Sequence, residues 1–128
     1  MKNQGFSLIE LLVVMAILAT LVGISIPAYN QYRVSSNRSA ARAYLVEAAQ
    51  TLERHFVRNN TYATATIASG GTLEPTAEGG LYTIAWSAGP TQNTYTLQAT
   101  AAGGQAGDTA CPNLRINHLG AKLPAACW

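Results

Sequence analysis

A carboxylate, Glu10, opens a run in which no further charge appears until Arg33, and within Leu11–Ala28 only Thr20 and Ser25 carry polar groups. An acid at the centre of a membrane helix costs about 2.5–3.5 kcal/mol, so a carboxylate kept here calls for a cation. Lys2 lies two helical turns back and Arg33 is far distant, so the partner must come from outside this segment. A second pair of reactive groups, Cys111 and Cys127, encloses fifteen residues. Two cysteines behind an export-type N-terminus suggest a disulfide, and a loop of that size contributes on the order of 3 kcal/mol to a small domain. A redox or metal role fits less well, because the sequence has no CxxC and His118 has no second histidine close by. A third set, Arg115, His118, Lys122 and Trp128, puts cations and an aromatic within or beside that loop. Such a set suits phosphate contact and base stacking in DNA binding, and equally an ordinary solvated surface, the favoured reading. No catalytic constellation accompanies these groups. His55 and His118 lack a nucleophile or ligand set, the acids are scattered, and no glycine-rich loop precedes a helix. The chain is expected not to be an enzyme and to bind no metal or cofactor.

The elements that position these residues follow from periodicity. Leu11–Ala28 is eighteen residues, roughly 27 Å of helix, and adding Phe6–Ile9 comfortably spans a bilayer core. A cleaved secretory signal is disfavoured by Ile26 at the −3 position and by Glu10 itself. Pro27 should kink or loosen the helix around Gly23–Pro27. Beyond Tyr32 the pattern turns amphipathic: Ala41, Leu45, Ala48, Leu52 and Phe56 draw one apolar stripe, opposite Glu47, Gln50, Arg54 and Arg58. Arg33, Arg38 and Arg42 read as a solvated face or subunit interface, with a nucleic-acid or headgroup surface as the alternative. Arg58–Tyr62 ends the helix.

Ala63–Gly80 has paired glycines, a proline and no period, and reads as a loop. Leu81–Ser87 alternates Tyr82, Ile84 and Trp86 against small or polar residues, and Thr94–Thr100 alternates Tyr95, Leu97 and Ala99. Asn113–Asn117 adds Leu114 and Ile116. These predict an antiparallel meander with one face on the helix stripe. The fold class is therefore α+β: a long N-terminal helix, hydrophobic then amphipathic, packed on a small antiparallel sheet of three to four strands.

The stretch GFSLIELLVVMAIL…IPAYNQY closely resembles the N-terminus of type IV pilins. In that family a basic leader is cut after the glycine, and the new first residue, usually Phe, is N-methylated by the same prepilin peptidase. The resemblance implies cleavage between Gly5 and Phe6, methylation of Phe6, and Glu10 meeting the charged amino group of a neighbouring subunit. It also implies that Pro27 marks a stretch able to extend in the filament, and that Cys111–Cys127 is the C-terminal disulfide loop. Ser7 stands where the family more often has Thr, and Gln4 replaces a basic residue before the cut. The ending GDTACPNLRI…PAACW is similar to that of PilE-type minor pilins.

The implied organisation is a leader at 1–5, an assembly helix at 6–28, an amphipathic helix at 29–60, and a loop plus sheet at 61–128. The implied function is a type IV pilus minor subunit serving twitching, adhesion or DNA uptake. Its partners would be other pilins, prepilin peptidase and the inner-membrane assembly machinery. It would reside in the inner membrane, soluble domain facing the periplasm, before joining the surface pilus. Alternatives are a DNA-binding uptake receptor and a type II secretion pseudopilin. The 11% charged composition fits a largely apolar stem with a modest soluble domain, and a net charge of +2 does not by itself argue for nucleic acid.

Overall fold

The computed structural model describes residues 5–128, so the expected leader, with Lys2 and Gln4, lies almost wholly outside the described residues. The chain divides into two compact units, the first ending at Arg33 and the second running from Val34 to Trp128. One helix, α1 (Leu8–Asn59), supplies the first unit and opens the second, and helical structure continues through Pro27 without interruption.

In the first unit the apolar side chains from Phe6 to Ile26 are exposed, and by length and composition the helix can cross a membrane. Its internal hydroxyls are satisfied locally. Thr20 Oγ1 donates to the Ile17 carbonyl at 2.7 Å and Ser25 Oγ to the Leu21 carbonyl at 2.8 Å, which hides both donors from an apolar surround.

In the second unit α1 buries Ala41, Leu45, Ala48 and Leu52, with Phe56 half-buried, as its spacing predicts. The helix stops at Asn59, and Asn60 takes a left-handed φ of 54° while its amide donates to the Phe56 carbonyl at 2.7 Å. That is a conformation asparagine tolerates better than most residues.

The sheet has five strands, two more than the sequence pattern picked out: β1 (Thr76–Ala77), β2 (Tyr82–Ala88), β3 (Thr96–Ala101), β4 (Asn113–Asn117) and β5 (Lys122–Leu123). They pair antiparallel in chain order. Tyr82, Ile84, Leu97, Ala99, Leu114 and Ile116 point into the core with the helix stripe. The segment read as one long loop is corrected by β1, a 3₁₀ turn at Glu78–Gly80, and a bridge from Ile67 to Leu73. Tyr62, Ala65, Leu73 and Ala77 anchor it by burial, and their irregular spacing leaves no period to detect. Phe56 packs tilted on Tyr62, and Tyr62 edge-on to Tyr95, with centroids 4.6 and 4.8 Å apart.

The disulfide joins Cys111 to Cys127, and an ion pair ties the chain entering it to the helix. Arg38 Nη2 and Nε reach the two oxygens of Asp108 at 2.7 and 3.1 Å. Arg38 is thus a core-edge partner, correcting its expected place on a solvated basic face. Gln105 Nε2 donates to Asp108 at 3.3 Å and to the Val34 carbonyl at 3.1 Å, and Asn37 Nδ2 donates to Gln105 Oε1. The Cys111 amide completes the set, 3.1 Å from Asp108 Oδ1.

Burial alone would raise the Asp108 pKa, but the Arg38 and Cys111 hydrogen bonds and the Arg38 charge outweigh it and hold the carboxyl below its usual value. A folded pKa below the unfolded one gives stability that is complete above about pH 4 and vanishes as pH falls through the folded value. Arg38→Ala, which strands a nearly buried anion, should destabilise the folded domain by about 3 kcal/mol. The Arg38→Leu/Asp108→Leu pair should lose less than Arg38→Ala. Denaturant titration of the full chain in nonionic detergent, between pH 3 and 7, checks both.

Candidate functional site

Ser7 and Glu10 stand three residues apart at the start of α1, the spacing of a reciprocal side-chain cap. That cap is not formed. The Ser7 carbonyl accepts the Glu10 and Leu11 amides at 3.1 and 3.3 Å, while the Glu10 carboxylate has no hydrogen bond or ion pair among the described residues. Its place in the first helical turn gives it some relief from the helix dipole, worth a few tenths of a kcal/mol to about 1 kcal/mol. Desolvation in hydrocarbon is far larger. Phe6, four residues earlier, is 80% exposed, and the Gly5–Phe6 bond lies just outside the helix. The N-terminal site is therefore an accessible peptide bond followed by one uncompensated anion on an apolar rod.

The four residues that the sequence groups near the disulfide do not form one surface. Arg115 pairs across the ladder with Gln98 and Leu123 on the outer face of the sheet, and its Nε donates to Gln98 Oε1 at 2.7 Å. Lys122 pairs with Ile116, whose side chain is buried, so Lys122 projects from the opposite, helix-facing side. There its ammonium stands 5.1 Å from the centroid of the Trp128 ring, and Trp128 Nε1 is held by the Leu123 carbonyl at 3.2 Å. His118 is at the far end of β4, its amide on the Tyr95 carbonyl and its ring edge-on to Tyr95 with centroids 6.3 Å apart. Its Nδ1 is buried without a partner, which turns that edge of the ring toward the core.

What the structure does bring together is a groove of about 480 Å³ between α1 and β5. Lys122 and Trp128 line one side, and Arg42, Ala43, Val46, Glu47 and Gln50 the other. Arg42 Nε is buried there with no acceptor. The sequence places Arg42 on a basic helix face; its meeting with Lys122 depends on the turn that brings β5 back along β4. The described residues hold no cluster of three or more His, Cys, Asp or Glu able to bind a metal.

Residues 1–26 match the prokaryotic N-terminal methylation motif. Residues 27–115 match the family described as type IV minor pilin ComP, DNA uptake sequence receptor. The chain belongs to this type IV minor pilin family. Over 63 residues it is 41% identical to the type IV wide pilus major component PilA4 of Thermus thermophilus, a match covering 48% of this chain and 48% of that protein. The chain thus spans about half the length of that relative. A type IV pilin from Shewanella oneidensis has a similar structure, with a TM-score of 0.53 and 28% identity, covering 74% of this minor pilin and 97% of the other chain. Pilins are structural subunits rather than enzymes.

Proposed function

We propose that this minor pilin is held in the inner membrane by the first half of α1, with its soluble domain in the periplasm, until prepilin peptidase cuts between Gly5 and Phe6 and methylates Phe6. The assembly machinery then inserts it into the pilus fibre. Cleavage creates a cationic amine, and Glu10 of one subunit receives the amine of the next. The observation that carries this reading is the exposed apolar helix bearing a single unpartnered carboxylate four residues beyond Phe6. An anion in hydrocarbon is strongly penalised, and the pairing is available only in the assembled fibre, so the penalty itself drives insertion. Small residues Ala16, Ala19, Thr20 and Gly23 let neighbouring helices approach closely. Glu10→Gln and Glu10→Leu should leave a cleaved, membrane-held protein whose amount in sheared pili drops at least about tenfold, an effect of 1.4 kcal/mol or more. Mass spectrometry of the same preparation should find methylated Phe6 as the first residue. Normal entry of either variant into pili would sink the pairing.

A second reading, DNA capture, is supported by the groove that Arg42, Lys122 and Trp128 line, together with the uptake-receptor description of the matched family. Two cations spaced around a fixed indole suit a phosphate backbone with stacking beside it. In this reading Lys122, Trp128 and Arg42 carry the contact, while Arg115 and His118 do not. Lys122→Ala and Arg42→Ala should each weaken DNA binding and lower the slope of log K against log salt by about 1, and Trp128→Ala should cost about 1–3 kcal/mol. Fluorescence anisotropy with labelled duplex and single-stranded DNA at graded salt measures both quantities.

A further inference from the structure

The outer face of β3 and β4 carries a chain of hydrogen bonds with one fixed direction. Gln98 sits opposite Arg115, and Thr100 opposite Asn113. An arginine can only donate, so the 2.7 Å bond from Arg115 Nε settles which end of the Gln98 amide is oxygen. Gln98 Nε2 must then face the other way, donating to Thr100 Oγ1 at 3.0 Å and to Asn113 Oδ1 at 3.1 Å. The Thr100 hydroxyl also donates to Asn113 Oδ1, at 3.0 Å. Every side-chain oxygen in the chain already accepts a hydrogen bond within it. What remains is a set of donors: the two terminal amino groups of Arg115 and the Asn113 Nδ2 amide. Arg115 and Asn113 border a depression of about 240 Å³ whose other walls are Pro112 and Pro124. Pro112 follows disulfide-bonded Cys111, and Pro124 follows Leu123, which is paired to Arg115, so both walls are fixed.

We infer that this depression is a binding site for a carboxylate carried on an aliphatic stem. Donors with no competing acceptor select an anion, and the guanidinium fork with an adjacent amide matches the two oxygens of a carboxylate. The pyrrolidine rings offer apolar walls for the stem. Nucleic acid fits less well, because a polyanion draws its affinity from several cations along its backbone. Here the neighbours Gln98, Thr100 and Asn113 are uncharged, and Lys122 points from the other face of the sheet. The site is thus separate from the groove of Arg42, Lys122 and Trp128.

Asn113→Asp is the decisive variant. Its carboxylate still accepts from Gln98 and Thr100, so the outer face stays intact, but the free amide donor becomes an acceptor that occupies Arg115 from within. The experiment is a propionate titration of the full processed chain in maltoside micelles, followed by NMR of the Arg115 Nε–H and Asn113 side-chain amide signals. The shifts should saturate, and in Asn113→Asp the apparent affinity read from Arg115 should fall at least about tenfold, as expected for losing one hydrogen bond to a charged group. Parallel titrations use inorganic phosphate and duplex DNA. Absence of saturation, equal affinity in Asn113→Asp, or tighter saturation by phosphate or DNA than by propionate would each overturn the assignment. The DNA arm uses Lys122→Ala, whose change lies on the other side of the sheet, so that none of these outcomes depends on the DNA groove.

Discussion

The head of this pilin depends on one nearly buried ion pair. The Asp108 side chain is 2% exposed and its partner Arg38 20% exposed, a situation that is favourable only when the remaining lone pairs are also met. They are: Arg38 supplies two donors, Gln105 a third and the Cys111 amide a fourth. Gln105 is in turn held by Asn37 and the Val34 carbonyl. The first turns of the helix within the head are thereby joined to the loop that leads into the disulfide. Since β4 follows directly from Cys111, its register, and with it the direction in which Arg115 and Asn113 face, is referred back to the helix through this pair. The disulfide alone would close a loop; the ion pair orients it.

The core was legible in the sequence because both of its periodicities are strong. Tyr82 and Ile84, Leu97 and Ala99, Leu114 and Ile116 alternate with polar partners, and Ala41, Leu45, Ala48 and Leu52 recur at helical spacing, so each set could only face the other. The two-residue strands β1 and β5 escaped because two residues cannot alternate. The Arg38–Asp108 pair escaped for a different reason. Its members are 70 positions apart, and an aspartate between a glycine and a cysteine reads locally as a turn residue. Of Arg115, His118, Lys122 and Trp128 only Lys122 and Trp128 meet, and Arg115 and Lys122 part on parity, since they fall on opposite faces once the strand reverses. Sequence proximity named the right loop and could not assign its sides.

Glu10 shows the opposite case, a residue whose meaning was plainer in the sequence than in the isolated subunit. Its carboxylate meets nothing among the described residues, and the spacing from Ser7 that could have capped the helix goes unused. An unpaired charge in an apolar run is informative because water-soluble folding has no use for it. Family membership gives that anomaly a setting, the proposed pairing of one subunit with the next. The head carries the groove of Arg42, Lys122 and Trp128 on one side of the sheet and the donor-rich face of Arg115 and Asn113 on the other.

The sheet's borders have a consequence for crowded assemblies. Each border strand is only two residues long, and β5 presents a lysine and runs straight into Pro124. Short, charged and proline-stopped margins make poor templates for a stranger's backbone to continue the ladder. Heads held at high local concentration are thereby discouraged from zipping one sheet onto the next.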